Sequence, residues 1–364
     1  MTYKMIQVGT GGHGTTWCST FLPPNIKDGL IEVVAAVDIN PEALKNAQKF
    51  LGLNANQCYT NINKAFDENE SDFCTIVVPP AFHESVVDVA LAHDMNILSE
   101  KPIADTLAAS IRIANKVRRA SKKMGVTMSH RFDQDKTTLR NELQSGYHGA
   151  IDYLVCRFTC DCRKFASWGK FRHEIPDPLL IEGAVHHLDI LADLAGAKCD
   201  TVYAQTWNPP WGEFAGDSQA LVMMHFENGS RALYEGAKTN AVGLNGWAQE
   251  YIRAECKRAT LILDRRKLEC FPYDPSGQWV DKREGEGNNV PLLQQSKWAN
   301  TWLVEKFVRW LDGSERMETN VEDNLQSVAM VFASIESKRT VRPVKVQDYL
   351  ANARREVEAH DLAE

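Results

Sequence analysis

Residues 3–14 read YKMIQVGTGGHG, and this stretch decides the fold. A short apolar run, 4–9, leads into glycines at the spacing Gly9-x-Gly11-x-x-Gly14. Gly9 permits a tight turn, Gly11 lets the main chain approach a pyrophosphate, and Gly14 lets the next helix pack close to the strand. Glycine-rich turns are common, so the spacing alone is weak. Its context strengthens it: an apolar strand precedes it and a helical pattern starts near His13. A second apolar run, EVVAAVD, ends in Asp38. An acid at that strand end accepts hydrogen bonds from ribose hydroxyls and repels a 2′-phosphate, which favours NAD over NADP.

Working outward, strand-like runs recur at 73–78 (FCTIVV), 96–100 (NILSE) and 125–129 (GVTMS). Helical patterns starting near Pro41, Asn61, Phe82 and Asp105 separate them, with Asp105 or Thr106 able to cap the last. Fully apolar strands alternating with helices imply a parallel sheet covered on both faces. A dinucleotide-binding Rossmann domain over residues 1–128 follows. From about Ile151 the texture changes to runs such as IDYLVCRFTC and SQALVMMHFENGSRALYEG, with Asn228-Gly229 as a hairpin turn. Residues 129–364 therefore read as an α+β domain with a large open, mainly antiparallel sheet and late helices able to pack back on the first domain. The overall class is α/β.

Composition excludes several functions. At 364 residues the chain can bury two cores, and its net charge of −7 offers no general attraction to nucleic acid or anionic membrane. No run approaches the ~18 apolar residues of a membrane span, and residues 1–10 lack a signal-peptide apolar core, so a cytoplasmic protein is expected. Nine scattered cysteines, with no CxxC, imply reduced thiols rather than a disulfide framework, and no metal site is expected.

Residues 179–196, LLIEGAVHHLDILADLAG, form an apolar segment carrying Glu182, His186, His187, Asp189 and Asp193. At about 100° per residue, Glu182, His186, Asp189 and Asp193 share an arc of roughly 60°. Leu188, Leu191, Leu194 and Ala195 lie opposite, and His187 falls toward the apolar side, where a structural role is expected. A second candidate lies at the carboxyl end of the NILSE strand, where ligands of open parallel sheets bind. That strand delivers Glu100, Lys101 and Pro102.

Together VGTGGHG, Asp38, VVPPAFHESVVDVALAHDMNILSEKPIA and the 179–196 segment resemble the Gfo/Idh/MocA family of sugar and cyclitol dehydrogenases. The similarity runs from about Tyr3 to Val344. It implies that Lys101 and His186 are catalytic, that His83 lines the nicotinamide side, and that Lys101-Pro102 is a cis peptide. One departure is Glu182, where many members carry Asp four residues before the histidine. Its longer side chain can reach His186 at i+4 or contact substrate, and it joins the candidate catalytic set. Gly9, Gly11, Gly12, His13, Gly14, Asp38, Pro79, His83, Glu100 and Lys101 form the candidate cofactor set. Lys101, Arg131, Trp168, Arg172, Glu182 and His186 form the candidate substrate set. On this reading Glu182 and His186 face the cleft opposite Lys101, with Asp189 one turn on.

The expected function is hydride transfer between NAD and a ring hydroxyl or ketone of a sugar, glycoside or cyclitol. CRKFASWGKFRHE, with Arg163, Lys164, Trp168, Lys170, Arg172 and His173, and WNPPWGEF, with Trp207 and Trp211, offer aromatic faces beside polar groups. The alternatives are a same-fold reductase of another carbonyl class and a non-catalytic NAD-sensing regulator. Retention of both Lys101 and His186 argues against the regulator. Exposed apolar positions on the second domain's sheet predict a homo-oligomer: a dimer, tetramer or hexamer.

Overall fold

The computed structural model describes residues 1–361, which divide into two compact units. The first comprises 1–129, 297–325 and the residues from Ala353 onward; the second comprises 130–296 and 326–352. No described helix is long and apolar enough to cross a membrane.

The first unit is built on six strands: β1 (Tyr3–Val8), β2 (Ile31–Val37), β3 (Cys58–Tyr59), β4 (Phe73–Ile76), β5 (Asn96–Ser99) and β6 (Met124–Val126). All pair in parallel, in the order β3-β2-β1-β4-β5-β6, which is the doubly wound dinucleotide-binding topology. Every residue of β4 is buried, as a central strand covered on both faces requires. Two-residue β3 escapes a reading based on apolar runs, because its residues are only half-buried. Helix Pro41–Leu51 begins at Asn40, whose Oδ1 accepts from Glu42 N at 3.1 Å, and it stops at Gly52 in the left-handed region. Helix Leu107–Arg119 is capped by Thr106 through Ala109 N at 3.1 Å.

The second unit carries a nine-stranded sheet. Its strands are β7 (Ile151–Thr159), β8 (Cys199–Trp207), β9 (Gln219–Phe226), β10 (Arg231–Ala237), β11 (Tyr251–Cys256), β12 (Ala259–Asp264), β13 (Lys267–Pro272), β14 (Asn288–Val290) and β15 (Val344–Lys345). The order is β14-β13-β12-β11-β7-β10-β9-β8-β15. Only the central β7–β10 pair is parallel. Gly229, at φ +88°, turns β9 into β10. One face buries Phe158, Val222, Met224, Tyr234, Ile252 and Leu261. Helix Val185–Ala195 lies on that face, against β7 and β10, and His187 Nδ1 meets the Tyr234 hydroxyl at 3.1 Å. The other face leaves Leu221, Met223 and Leu233 exposed.

Candidate active site

In the first unit the glycine turn is tight for the anticipated reason. Gly9 has φ +88°, and a Cβ there would sit 2.1 Å from the Val77 carbonyl oxygen. A Cβ on Gly14 would sit 2.4 Å from the Gly9 carbonyl oxygen. Gly12, His13 and Pro79 are exposed, and Gly11 is half-buried. Asp38 follows β2, and its Oδ2 accepts from Thr10 N at 2.8 Å and Gly11 N at 3.0 Å. Its Oδ1 accepts from Asn40 N at 2.9 Å. The carboxylate thus moulds the glycine turn as well as standing at the strand end. A cradle that a Cβ would fill, with an acid at the next strand's end, fits the pyrophosphate and ribose of a nicotinamide dinucleotide.

Two residues of the cofactor set are placed differently from the expectation. The His83 ring is fully buried, with Nδ1 3.1 Å from the Ile103 oxygen and Nε2 2.8 Å from the Val78 oxygen. It ties two loops together and presents no surface with which to line a nicotinamide. Glu100 is also buried: it accepts from Trp17 Nε1 at 2.8 Å and lies 3.2 Å from His13 Nε2. Burial raises its pKa, but His13, Lys101 and Trp17 outweigh burial and hold it below the ordinary carboxylate range. Trp17 reaches Glu100 from a π-helical turn, Trp17–Phe21, that interrupts the first helix. Lys101 is half-buried, and the Lys101-Pro102 peptide is cis.

In the second unit the wheel drawn for 179–196 holds only in part. Leu179–Ala184 is π-helical, and the α-helix starts at Val185. A π turn bonds i to i+5 and so winds more loosely than an α turn. Glu182 is thereby turned toward Arg172, whose Nε donates to its Oε2 at 2.9 Å. Arg172 in turn packs over the Phe171 and Trp168 rings, its guanidinium 4.5 and 5.3 Å from their centroids. Glu182 and Arg172, both expected at substrate, form a buried-end ion pair with each other.

Arg131 also departs from the expectation. Its Nε donates to Asp189 Oδ2 at 2.7 Å, and its Nη1 lies 3.2 Å from Asp193 Oδ1. Arg140 takes the other Asp193 oxygen at 3.2 Å, and Ser327 Oγ donates to Asp189 at 2.6 Å. Half of the helix's polar stripe is therefore neutralised by two arginines and a hydroxyl from other segments. Asp189 is buried in that network instead of facing a cleft. Burial still pushes the Asp193 carboxyl up, against both guanidinium groups. His173 is likewise structural: it stacks on Phe214 at 3.8 Å, and its Nδ1 lies 2.9 Å from the Glu213 oxygen.

His186 lies elsewhere on the helix, its ring stacked on that of His130 at 4.0 Å and 11°. Around this pair stand residues that the sequence reading missed. Trp247 is edge-on to both rings, at 5.3 Å from His130 and 6.1 Å from His186. The Lys238 ammonium lies 3.7, 4.3 and 4.5 Å from the centroids of Trp168, Trp247 and Phe158, an enclosure with strong cation–π character. Trp168, expected at substrate, spends a face on that ammonium. Deeper still, fully buried Lys136 Nζ contacts Glu250 Oε2 at 2.6 Å. Burial alone would lower the pKa of this lysine; Glu250, Asp135 and Asp133 reverse that and hold it above its ordinary value. No local spacing announces a pair 114 residues apart. His130 could have been found, since it directly precedes Arg131 in VTMSHRF.

Residues 4–128 match the Gfo/Idh/MocA family domain described as an oxidoreductase-family, NAD-binding Rossmann fold. Residues 149–346 match that family's C-terminal alpha/beta domain. The chain belongs to the Gfo/Idh/MocA oxidoreductase family. It is 54% identical to the uncharacterized protein y4oX of Sinorhizobium fredii, over 97% of this chain and 98% of that one. It is 27% identical to an inositol 2-dehydrogenase of Corynebacterium glutamicum, over 62% of this chain and 65% of that one. The WlbA dehydrogenase of Bordetella pertussis, solved with NADH and UDP-GlcNAcA, shares the fold. Its TM-score is 0.77 at 16% identity, covering 95% of this chain and 99% of that one. As a Gfo/Idh/MocA member the protein is an NAD-binding oxidoreductase, with a parallel Rossmann sheet followed by a mainly antiparallel one.

Proposed function

We propose that this enzyme prefers NAD and transfers a hydride between the cofactor and a ring hydroxyl, or the matching ketone, of a sugar, glycoside or cyclitol. The observation that carries the reading is His186: an imidazole on a buried helix, stacked on a second histidine and walled by Trp247. Aromatic walls beside hydrogen-bonding groups suit the flat, polar-edged faces of a ring polyol. The inositol 2-dehydrogenase among the relatives supports the substrate class.

NAD, when bound, supplies the hydride acceptor. The hydroxyl proton must leave as the hydride does, and the His186 imidazole is the group placed to take it as general base. Lys101 serves as a hydrogen-bond donor to the reacting oxygen, stabilising the charge that grows there. His187, enclosed between Tyr234 and Glu250, takes no part in that proton transfer.

Asp38 underlies the cofactor preference, because a 2′-phosphate would meet its carboxylate. The test is turnover of inositols, sugars and glycosides with NAD and with NADP at matched concentration. Activity on one of these classes, faster with NAD, is expected, and Asp38→Ala should narrow the difference. Equal or faster turnover with NADP overturns the cofactor assignment. Failure across all three classes with NAD overturns the substrate reading.

A further inference from the structure

Three donor atoms from separate segments of the second unit converge beside His186. His130 belongs to the turn Ser129–Phe132, His187 to helix Val185–Ala195, and Glu250 immediately precedes β11. His130 Nδ1 and His187 Nε2 lie 3.4 and 3.5 Å from one oxygen, Glu250 Oε1. All three donors fall within 4.8 Å of one another. Charge-assisted N–H···O bonds between such groups close to about 2.7–2.9 Å. These spacings are too long for that, and both ring nitrogens are buried without a hydrogen-bond partner. Donors held at 2.0–2.1 Å around one tetrahedral zinc ion stand about 3.3–3.5 Å apart. The two separations from Glu250 match that figure; the third, between the two ring nitrogens, lies within 4.8 Å, so an ion would draw the half-buried His130 ring toward His187.

The surroundings are those of a ligand set. His187 is completely buried. Its other nitrogen meets the Tyr234 hydroxyl at 3.1 Å, the kind of outer hydrogen bond that orients a ligating histidine. Glu250 is anchored in the same way through Oε2, on Lys136. Its Oε1 accepts from Ala248 N at 3.2 Å, which leaves a second lone pair on that oxygen. Lys136 Nζ is shared among three carboxylates, with Asp133 and Asp135 each at 3.4 Å. The Lys238 ammonium, across the Trp247 ring, is a like charge that the carboxylates must offset before an ion can be held. Residues 241–244 and 246–249 are exposed or half-exposed, and Trp247 among them lies against both histidine rings.

We propose that His130, His187 and Glu250 bind a divalent transition-metal ion, with zinc the best match to two imidazoles and one carboxylate. Three protein ligands leave one tetrahedral position for a water or a substrate oxygen. The proposal is independent of the substrate reading, since its test counts metal.

Full-length protein is stripped with a chelator, loaded with zinc sulfate and desalted; its metal is then counted by mass spectrometry and its affinity measured by calorimetry. About one zinc per chain is expected in the wild type. His187→Ala and Glu250→Gln should lose it. His130→Phe should also lose it while keeping a ring on His186, and it decides the matter if the buried variants do not fold by circular dichroism. Tyr234→Phe, which removes an outer bond, should weaken binding by about 10–100-fold. A wild type that retains no zinc overturns the proposal. So does zinc retained equally by His130→Phe, which would mark adventitious binding to other histidines.

Discussion

Adjacent histidines on one helix have separate fates because successive α-helical residues point about 100° apart. His187 is aimed at the sheet and meets Tyr234; His186 is aimed at His130. His186→Ala should therefore leave NAD binding nearly intact while lowering turnover by about 10²–10⁴-fold, the range for a lost general base. Lys101→Ala should act similarly. If the two residues serve one step, the double variant should lose less than the product of the single losses. NAD titration beside steady-state rates checks this, and near-normal turnover in His186→Ala overturns the assignment. That split between the histidines was readable from periodicity alone. The destinations of Arg131 and Arg172 were not. An arginine beside a candidate cleft has the same sequence signature whether it meets a ligand or a buried carboxylate, and here Asp189, Asp193 and Glu182 lie close enough to take it.

At the scale of single elements, the glycine turn carried the most information, because steric exclusion leaves few alternatives. Gly14→Ala places a methyl carbon 2.4 Å from the Gly9 oxygen, a main-chain atom that cannot rotate away. The first helix must shift, at a cost of about 1–3 kcal/mol, typical of overpacking. The thermal midpoint should fall and NAD affinity should drop with it; Gly12→Ala meets nothing within 4 Å and serves as the contrast, although its φ of +50° adds backbone strain. A Gly14→Ala protein that melts and binds NAD like wild type would show that the turn is looser than drawn. The interrupted helices were less legible. No residue pattern marks Leu179–Ala184 or Trp17–Phe21 as π-helical, since an i+5 bond depends on what the side chains reach once folded.

For the molecule as a whole, alternation between apolar runs and helical stretches disclosed the Rossmann half, and period-two burial disclosed the open sheet. The Lys136–Glu250 contact and the Lys238 enclosure stayed hidden, because long-range polar pairs leave no periodic trace. The sheet's outer face carries Leu221, Met223 and Leu233 at 43, 56 and 39% exposure on adjacent strands β9 and β10. Such a cluster favours covering by a second copy of the chain. Light scattering at micromolar concentration should give a multiple of the monomer mass, and Met223→Asp with Leu233→Asp should reduce it to the monomer. A monomer in the unaltered protein would refute this.

The π turn at Leu179–Ala184 makes chain length, as well as chemistry, a determinant of the site. Removing one residue there would let the turn close as an ordinary α-helix and rotate everything before it by about 100° relative to His186. Glu182 would swing off Arg172 while the helix from Val185 onward kept its seat on the sheet. A single-codon deletion could thus part Glu182 from Arg172 and change the phase of the segment before the helix without exchanging either side chain.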